Sequence, residues 1–412
     1  MAILHPVHKH SVVSPRYVGR FACIGQKCED NCCTGWRVTI DKKTFTAYRQ
    51  AKNPGLEKRF SHDVKRIRSQ ASNAQYARIE LNKATHECPF LEDRLCAIQR
   101  DVGEDYLSNT CSMYPRSTRN YGGQFEQVLA LSCPEAARHA LLAPDAFDFV
   151  AESIGVRSDA VETIKPIHGL PLNAINEVRT FCLQVMRAES MELWQRLAVV
   201  GVFCETLSKT LTSGGHADVP PMLESFRTMV EDGQVSNALA DMQPDYASHA
   251  QNFGILFLRK PPGHVSALQA SVLEAVAVGL GINPELREVG LTALVDNYIR
   301  GIKRLPEALQ AAPKLLEHYL LNEMFGELFP FKGASPYKHY VNIVTRFGLL
   351  RLMLAARCNT DGPLPDATTL AQTVQVFCRA YQHDTSFAQR VDSVQELFSG
   401  EKLDQVFKLL RV

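Results

Sequence analysis

The chain has 412 residues, 45% of them hydrophobic and 22% charged, which is enough apolar material for a sizeable core and two or three folding units. Its 45 Lys and Arg against 44 Asp and Glu leave a net charge of +1, excluding a surface built throughout to neutralise phosphates. No apolar stretch has signal-peptide or membrane-spanning length, so a cytoplasmic protein without a membrane span is expected.

In chain order, residues 1–140 are predicted to form an irregular α+β domain. His5, His8 and His10 read as a mobile terminus rather than a metal site. Residues 36–40 and 77–81 alternate in a strand-compatible way, while 42–51 and 54–69 read as helices. Lys58, Arg59, Lys65, Arg66 and Arg68 would share one solvated helical face. From 165 to 412 an all-helical domain is predicted, making the fold mainly α. Apolar residues recur at three- and four-residue steps over 172–187, 191–211, 221–230, 266–280, 285–304, 313–328, 337–357, 367–382, 387–398 and 402–410. Gly279 and Gly281 read as a helix terminus, not a nucleotide-binding loop. Charge divides with the pattern: residues 1–140 carry 21 Lys/Arg against 14 Asp/Glu, and 141–412 carry 24 against 30.

The twelve cysteines divide there too. Cys23, Cys28, Cys32, Cys33, Cys88, Cys96, Cys111 and Cys133 fall in the first third, whereas Cys182, Cys204, Cys358 and Cys378 lie singly on apolar-patterned helices and read as core. A reducing cytoplasm disfavours disulfides, so a metal is the better reading of the eight. Gaps of 7, 14 and 21 residues after Cys88 are too wide for paired zinc knuckles and fit an iron–sulfur cluster set into a folded pocket, with zinc as the alternative. Successive two-residue gaps of the ferredoxin kind are absent, and a Cys-x3-Cys-x2-Cys run fails at Gly35. Adjacent Cys32 and Cys33 are not both expected to face one ion.

The segment Tyr17-x3-Phe21-x-Cys23-Ile-Gly-x2-Cys28-Glu-Asp-x-Cys32-Cys33-x-Gly-Trp36-x-Val-x-Ile40-Asp41 resembles the opening of the flagellin lysine N-methylase (FliB) family. Cys88-Pro-Phe-Leu91, Cys96-x-Ile98, Cys111-x2-Tyr114-Pro115 and Cys133-Pro134 are similar to its continuation, shared in part with YkgJ-like cysteine-cluster proteins. Tyr319-Leu-Leu-Asn322, Phe329-Pro-Phe331 and Phe377-Cys-Arg379-Ala-Tyr-Gln-His383 resemble its C-terminal region, while Gln99 departs from the tyrosine expected after Ile98. The resemblance implies S-adenosylmethionine-dependent methylation of flagellin lysines, with a [4Fe–4S] cluster on the cysteines.

Such a reaction needs a neutral amine aligned behind a sulfonium methyl, whereas free lysine has a pKa near 10.4. Asp30, Asp41 and Tyr114 are the candidate catalytic groups, although Asp41 reads better as the N-cap of the helix that follows. Arg116 and Arg119 are candidates for the donor's carboxylate, and an open iron is another anchor for its amino-acid end. Two other readings are a metal-ordered, non-enzymatic protein-interaction module and a nucleic-acid binder. The latter is disfavoured by the scarcity of aromatics among the basic residues. Oligomeric state is not legible in the sequence.

Overall fold

A computed structural model describes residues 4–70, 72–258, 264–283, 285–286, 288–382 and 403–411. The chain divides into two units, one of Met1–His139, Asp148–Thr163 and Pro262–Ala270, the other of Ala140–Phe147, Ile164–Pro261 and Ser271–Val412.

The first unit is more regular than the sequence suggests. Strand β1 (Val7–Pro15) is followed by the single turn α1 (Tyr17–Arg20), then β2 (Thr39–Ile40), α2 (Lys42–Gln50), α3 (Glu57–Asp63), β3 (Val64–Arg66) and β4 (Ala77–Ile79). A small hairpin of β5 (Leu91–Glu92) and β6 (Leu95–Cys96) leads into α4 (Ala97–Val102) and α5 (Asn109–Met113). After these come β7 (Arg116–Tyr121), β8 (Gln124–Leu129), α6 (Pro134–Leu142), β9 (Phe149–Arg157) and β10 (Glu162–Thr163).

Five strands form one sheet in the order β10-β7-β8-β1-β9. The two-residue turn between β7 and β8 is Gly122-Gly123, at φ 61° and 99°, a left-handed geometry that glycine adopts without a Cβ clash. β1 runs parallel to β8 and antiparallel to β9, from Val7 opposite Arg157 to Pro15 opposite Phe149. Its buried Val12 and Ser14 face the core at the two-residue period of a strand. The N-terminal histidines are therefore not on a mobile terminus. His10 stacks on Phe125 at 3.9 Å, and His5 is fully buried.

A second layer packs β2, β4 and β3, in that order, around Ile40, Tyr48, Phe60, Ile79, Phe90 and Ile98. Tyr48 stacks on Phe60 at 4.2 Å. The helix predicted over 54–69 ends early, because Val64–Arg66 pair with β4 instead, and cross-strand pairing outweighs local helical periodicity there. The basic face is accordingly split between helix and strand, and Arg59 is drawn onto Glu92 and the Pro89 carbonyl.

Among the described residues the second unit contains no strand. Its helices are α7 (Leu172–Met186), α8 (Leu193–Thr212), α9 (Val219–Glu231), α10 (Gln234–Ala238) and α11 (Tyr246–Leu258). They continue with α12 (Ala267–Leu280), whose first turn groups with the first unit, α13 (Leu291–Ala308), α14 (Leu315–Gly326), α15 (Pro336–Cys358), α16 (Ala367–Phe377) and α17 (Leu403–Leu410). The stretch expected to be helical over 387–398 lies outside the described residues. Helix α13 begins six residues later than its periodicity suggests, and α16 ends in a π-turn, Cys378–Gln382.

α15 is the central rod. A Cβ at Gly301 of α13 would stand 2.0 Å from the Ala355 carbonyl oxygen, and one at Gly279 of α12 equally close to that of Ala356. Glycine is thus what lets two helices meet the backbone of α15. Half-buried Arg351 donates to the Leu410 carbonyl at 2.5 Å, tying α17 down. No described helix is long and apolar enough to cross a membrane.

Candidate metal centre

All twelve cysteines are free thiols, in two environments. Cys182, Cys204, Cys358 and Cys378 are fully buried in the helical unit, as the sequence predicts. The other eight lie in loops and element ends of the first unit, half-buried except for exposed Cys23 and Cys32.

Backbone geometry gathers the two sequence groups. The Cys88 N–H donates to the Cys33 carbonyl at 2.7 Å, and the Gly35 N–H to that of His86 at 2.9 Å, with Gly35 at φ 83°. Asn31 Oδ1 accepts from the Cys33 N–H at 3.0 Å and from the Thr34 hydroxyl at 3.1 Å, closing the Cys32-Cys33 turn. The Trp36 indole donates to the Cys32 carbonyl, and the Arg94 guanidinium to that of Cys28. Cys88, Cys96 and Cys111 pack along one edge of the Phe60–Phe90 core.

Cys32 is the hub. Its thiol stands within electrostatic range of Cys28, Cys33, Cys88, Cys96, Cys111 and Cys133. Burial pushes the Cys88 thiol up to about 11, and those of Cys111 and Cys133 up to about 12. Burial likewise raises Cys28 and Cys96, while Cys33 is raised first by its hydrogen bond with Cys32 and then by burial.

Opposing this, donors point at the sulfurs: the N–H groups of Asp30 at Cys28, of Phe90 at Cys88, of Ile98 and Gln99 at Cys96, and of Glu135 and Ala136 at Cys133. The Ser108 hydroxyl serves Cys111. For Cys96 and Cys133 these are the open N–H groups at the starts of α4 and α6, which favour a negative sulfur. Clustered, burial-raised thiols with donors aimed at them are chemically suited to a thiophilic cation, which would displace their protons. Among the described residues, however, no three Cys, His, Asp or Glu side chains stand close enough to hold a metal ion. The fit to zinc or an iron–sulfur cluster is therefore one of donor chemistry and neighbourhood.

The remaining sequence candidates are spread around this region. Asp30 is buried. Asp41 caps α2, accepting the Thr44 N–H at 2.9 Å and the Thr44 hydroxyl at 2.6 Å. Tyr114 packs on Trp36 at 5.3 Å and shares a 3.1 Å hydrogen bond with Ser132. Arg116 lies over the Phe21 ring at 5.0 Å, and buried Arg119 pairs with Glu162 at 3.0 Å.

Two positioning residues escaped the sequence reading. Ser108 caps α5, a role its place before Asn109 could have signalled. Arg157 reaches from β9 to the carbonyls of Leu107 and Glu104 at 3.0 and 2.9 Å, holding the loop ahead of Cys111, and nothing local announces it.

Fold and thiols define a class: a two-unit protein in which an α/β unit gathers eight cysteines and a helical unit buries four others in its own core. Residues 179–411 match the family described as the FliB lysine N-methylase C-terminal domain. The chain is 36% identical to the lysine-N-methylase of Salmonella typhimurium over 411 residues, covering 97% of this chain and 99% of that protein. The corresponding protein of Salmonella choleraesuis is 35% identical with the same coverage. The flagellar biosynthetic protein FliU of Salmonella muenchen is 36% identical over 137 residues, 33% of this chain and 80% of its own. No solved structure matches the chain. The chain belongs to the FliB lysine N-methylase family.

Proposed function

We propose that this chain is a protein-lysine N-methyltransferase that transfers methyl groups from S-adenosylmethionine to flagellin lysines, with a cysteine-bound [4Fe–4S] cluster in its first unit. The observation that carries the reading is the near end-to-end similarity to proteins named lysine-N-methylase. The flagellar name of a third relative favours flagellin as the substrate.

In the transfer, the lysine nitrogen attacks the sulfonium methyl. A C–N bond forms, the C–S bond breaks, and S-adenosylhomocysteine leaves. The incoming ammonium must first lose a proton, so the chain must desolvate it or offer an acceptor. Buried Asp30 and the Tyr114–Ser132 hydroxyl pair are the groups beside the thiols suited to that task. Cys23, Cys28, Cys32, Cys33, Cys88, Cys96, Cys111 and Cys133 are the set from which up to four thiolates would hold the cluster, Cys32 and Cys33 not both among them. Held by three thiolates, it would supply an open, Lewis-acidic iron in the first unit.

The test is anaerobic incubation with flagellin and methyl-labelled S-adenosylmethionine, followed by mass spectrometry of flagellin peptides. Label on lysine side chains is the expected result, and unlabelled lysines with folded, iron-loaded protein would contradict it.

A further inference from the structure

A cleft of about 610 Å³ opens in the first unit against α2, a volume suited to a cofactor-sized molecule. Its wall carries Asp41, Lys42, Lys43, Asn73, Asn109 and Asp159. Behind that wall runs a side-chain chain centred on His5, which is fully buried. His5 Nδ1 lies 2.7 Å from Asp159 Oδ2 and Nε2 lies 2.9 Å from Thr44 Oγ1. Thr44 in turn donates to Asp41.

The two carboxylates end up in different states. Both oxygens of Asp41 are committed to Thr44, whereas Asp159 spends only Oδ2 on His5. Asp159 Oδ1 takes no hydrogen bond among the described residues, so a fixed, side-chain-supported acceptor remains. Lys43 Nζ makes only a long ion pair with Asp159 Oδ2, at 3.9 Å and beyond hydrogen-bonding reach, on a largely exposed side chain. A held carboxylate with an open oxygen, beside an ammonium that a stronger partner can draw away, complements a zwitterion.

The cleft also shares walls with the thiol region. α2 turns Tyr48 toward the core on which Cys88, Cys96 and Cys111 pack, and lines the cleft with Lys43, while Asn109 stands two residues before Cys111 on α5. Arg116 and Arg119, the sequence candidates for a donor carboxylate, are engaged by Phe21 and Glu162.

We propose that this cleft binds the amino-acid head of a small molecule, its α-ammonium on Asp159 and its α-carboxylate on Lys43. Resting on the methyltransferase reading above, that molecule is S-adenosylmethionine. The fixed carboxylate selects the head group, and His5 is a positioning residue acting through Asp159.

Titration calorimetry of S-adenosylmethionine into the full-length, iron-loaded protein tests this, alongside Asp159→Asn and Lys43→Met. Each substitution is expected to raise Kd by about tenfold or more, with circular dichroism and iron content unchanged. L-Methionine is expected to compete in the wild type. Because Lys43 is exposed, Lys43→Met preserves the fold and keeps the test decisive if Asp159→Asn does not. Wild-type affinity in both variants overturns the cleft assignment while leaving the methyltransferase standing. Donor binding lost on iron chelation but indifferent to both substitutions places the head on the metal and also overturns it. A wild type that neither binds the donor nor methylates flagellin overturns both readings.

Discussion

The two units use cysteine in opposite ways. In the helical unit Cys182, Cys204, Cys358 and Cys378 are small apolar fillers with no accessible surface. In the first unit six thiols, those of Cys28, Cys33, Cys88, Cys96, Cys111 and Cys133, gather near Cys32, several at helix starts where backbone N–H groups meet sulfur. Residue type alone does not separate the two uses. Placement does: a thiol inside a helix has its neighbours' backbone donors already spent, whereas one at a helix start has them free.

This contrast can be broken most forcefully at the thiols. Serine at Cys32, Cys96 or Cys111 is expected to lower flagellin methylation by more than about a hundredfold, beyond the usual cost of losing an outer-sphere partner of a metal. Alanine at Cys182 or Cys358 is expected to leave methylation per folded molecule at the wild-type level. Both are read in the same labelled-transfer assay.

Next in size is the helical scaffold. Gly301→Ala places a methyl group 2.0 Å from the Ala355 oxygen of α15, which must shift, and the expected loss is about 3 kcal/mol in urea unfolding. A smaller effect is expected from Cys204→Ala, about 1 kcal/mol, as a buried sulfur and its weak hydrogen bond with Cys182 are removed.

A further effect concerns pH. Burial pushes Glu323 up to about 7 from its ordinary 4.5, so folding takes up a proton between those values, and this group's contribution is lost as pH rises through about 7. His339 runs the other way. Burial lowers it to about 4 from 6.5, and its contribution is lost as pH falls through about 4. Glu323→Gln is expected to flatten the alkaline-side decline of the melting temperature between about pH 5 and 8. An unchanged slope would contradict the assignment.

The helical unit was largely legible because long, amphipathic segments announce themselves at the 3.6-residue period; α7, α8 and α15 fall within two residues of their predicted ends. Helix α11, with Phe253, Leu256 and Phe257 buried, was missed. The five-stranded sheet was not read, because β1 pairs with β9 more than a hundred residues away and local pattern carries no trace of that partner. Its Gly122-Gly123 turn was a usable signal that went unread. At the site, the eight cysteines were visible by count and position. The approach of the two cysteine groups follows from the Cys88-to-Cys33 backbone bond, and the His5–Asp159 pairing from the long-range sheet; neither is a matter of spacing.

The most direct measurement is iron and acid-labile sulfide content, with visible absorbance, on anaerobically purified wild type and two multiple variants. One carries Cys88→Ser with Cys111→Ser, the other alanine at Cys182, Cys204, Cys358 and Cys378. A cluster held by the first unit predicts iron and sulfide in the wild type and the second variant, and their loss from the first. Equal metal in both variants, or a colourless wild type containing only zinc, would contradict it.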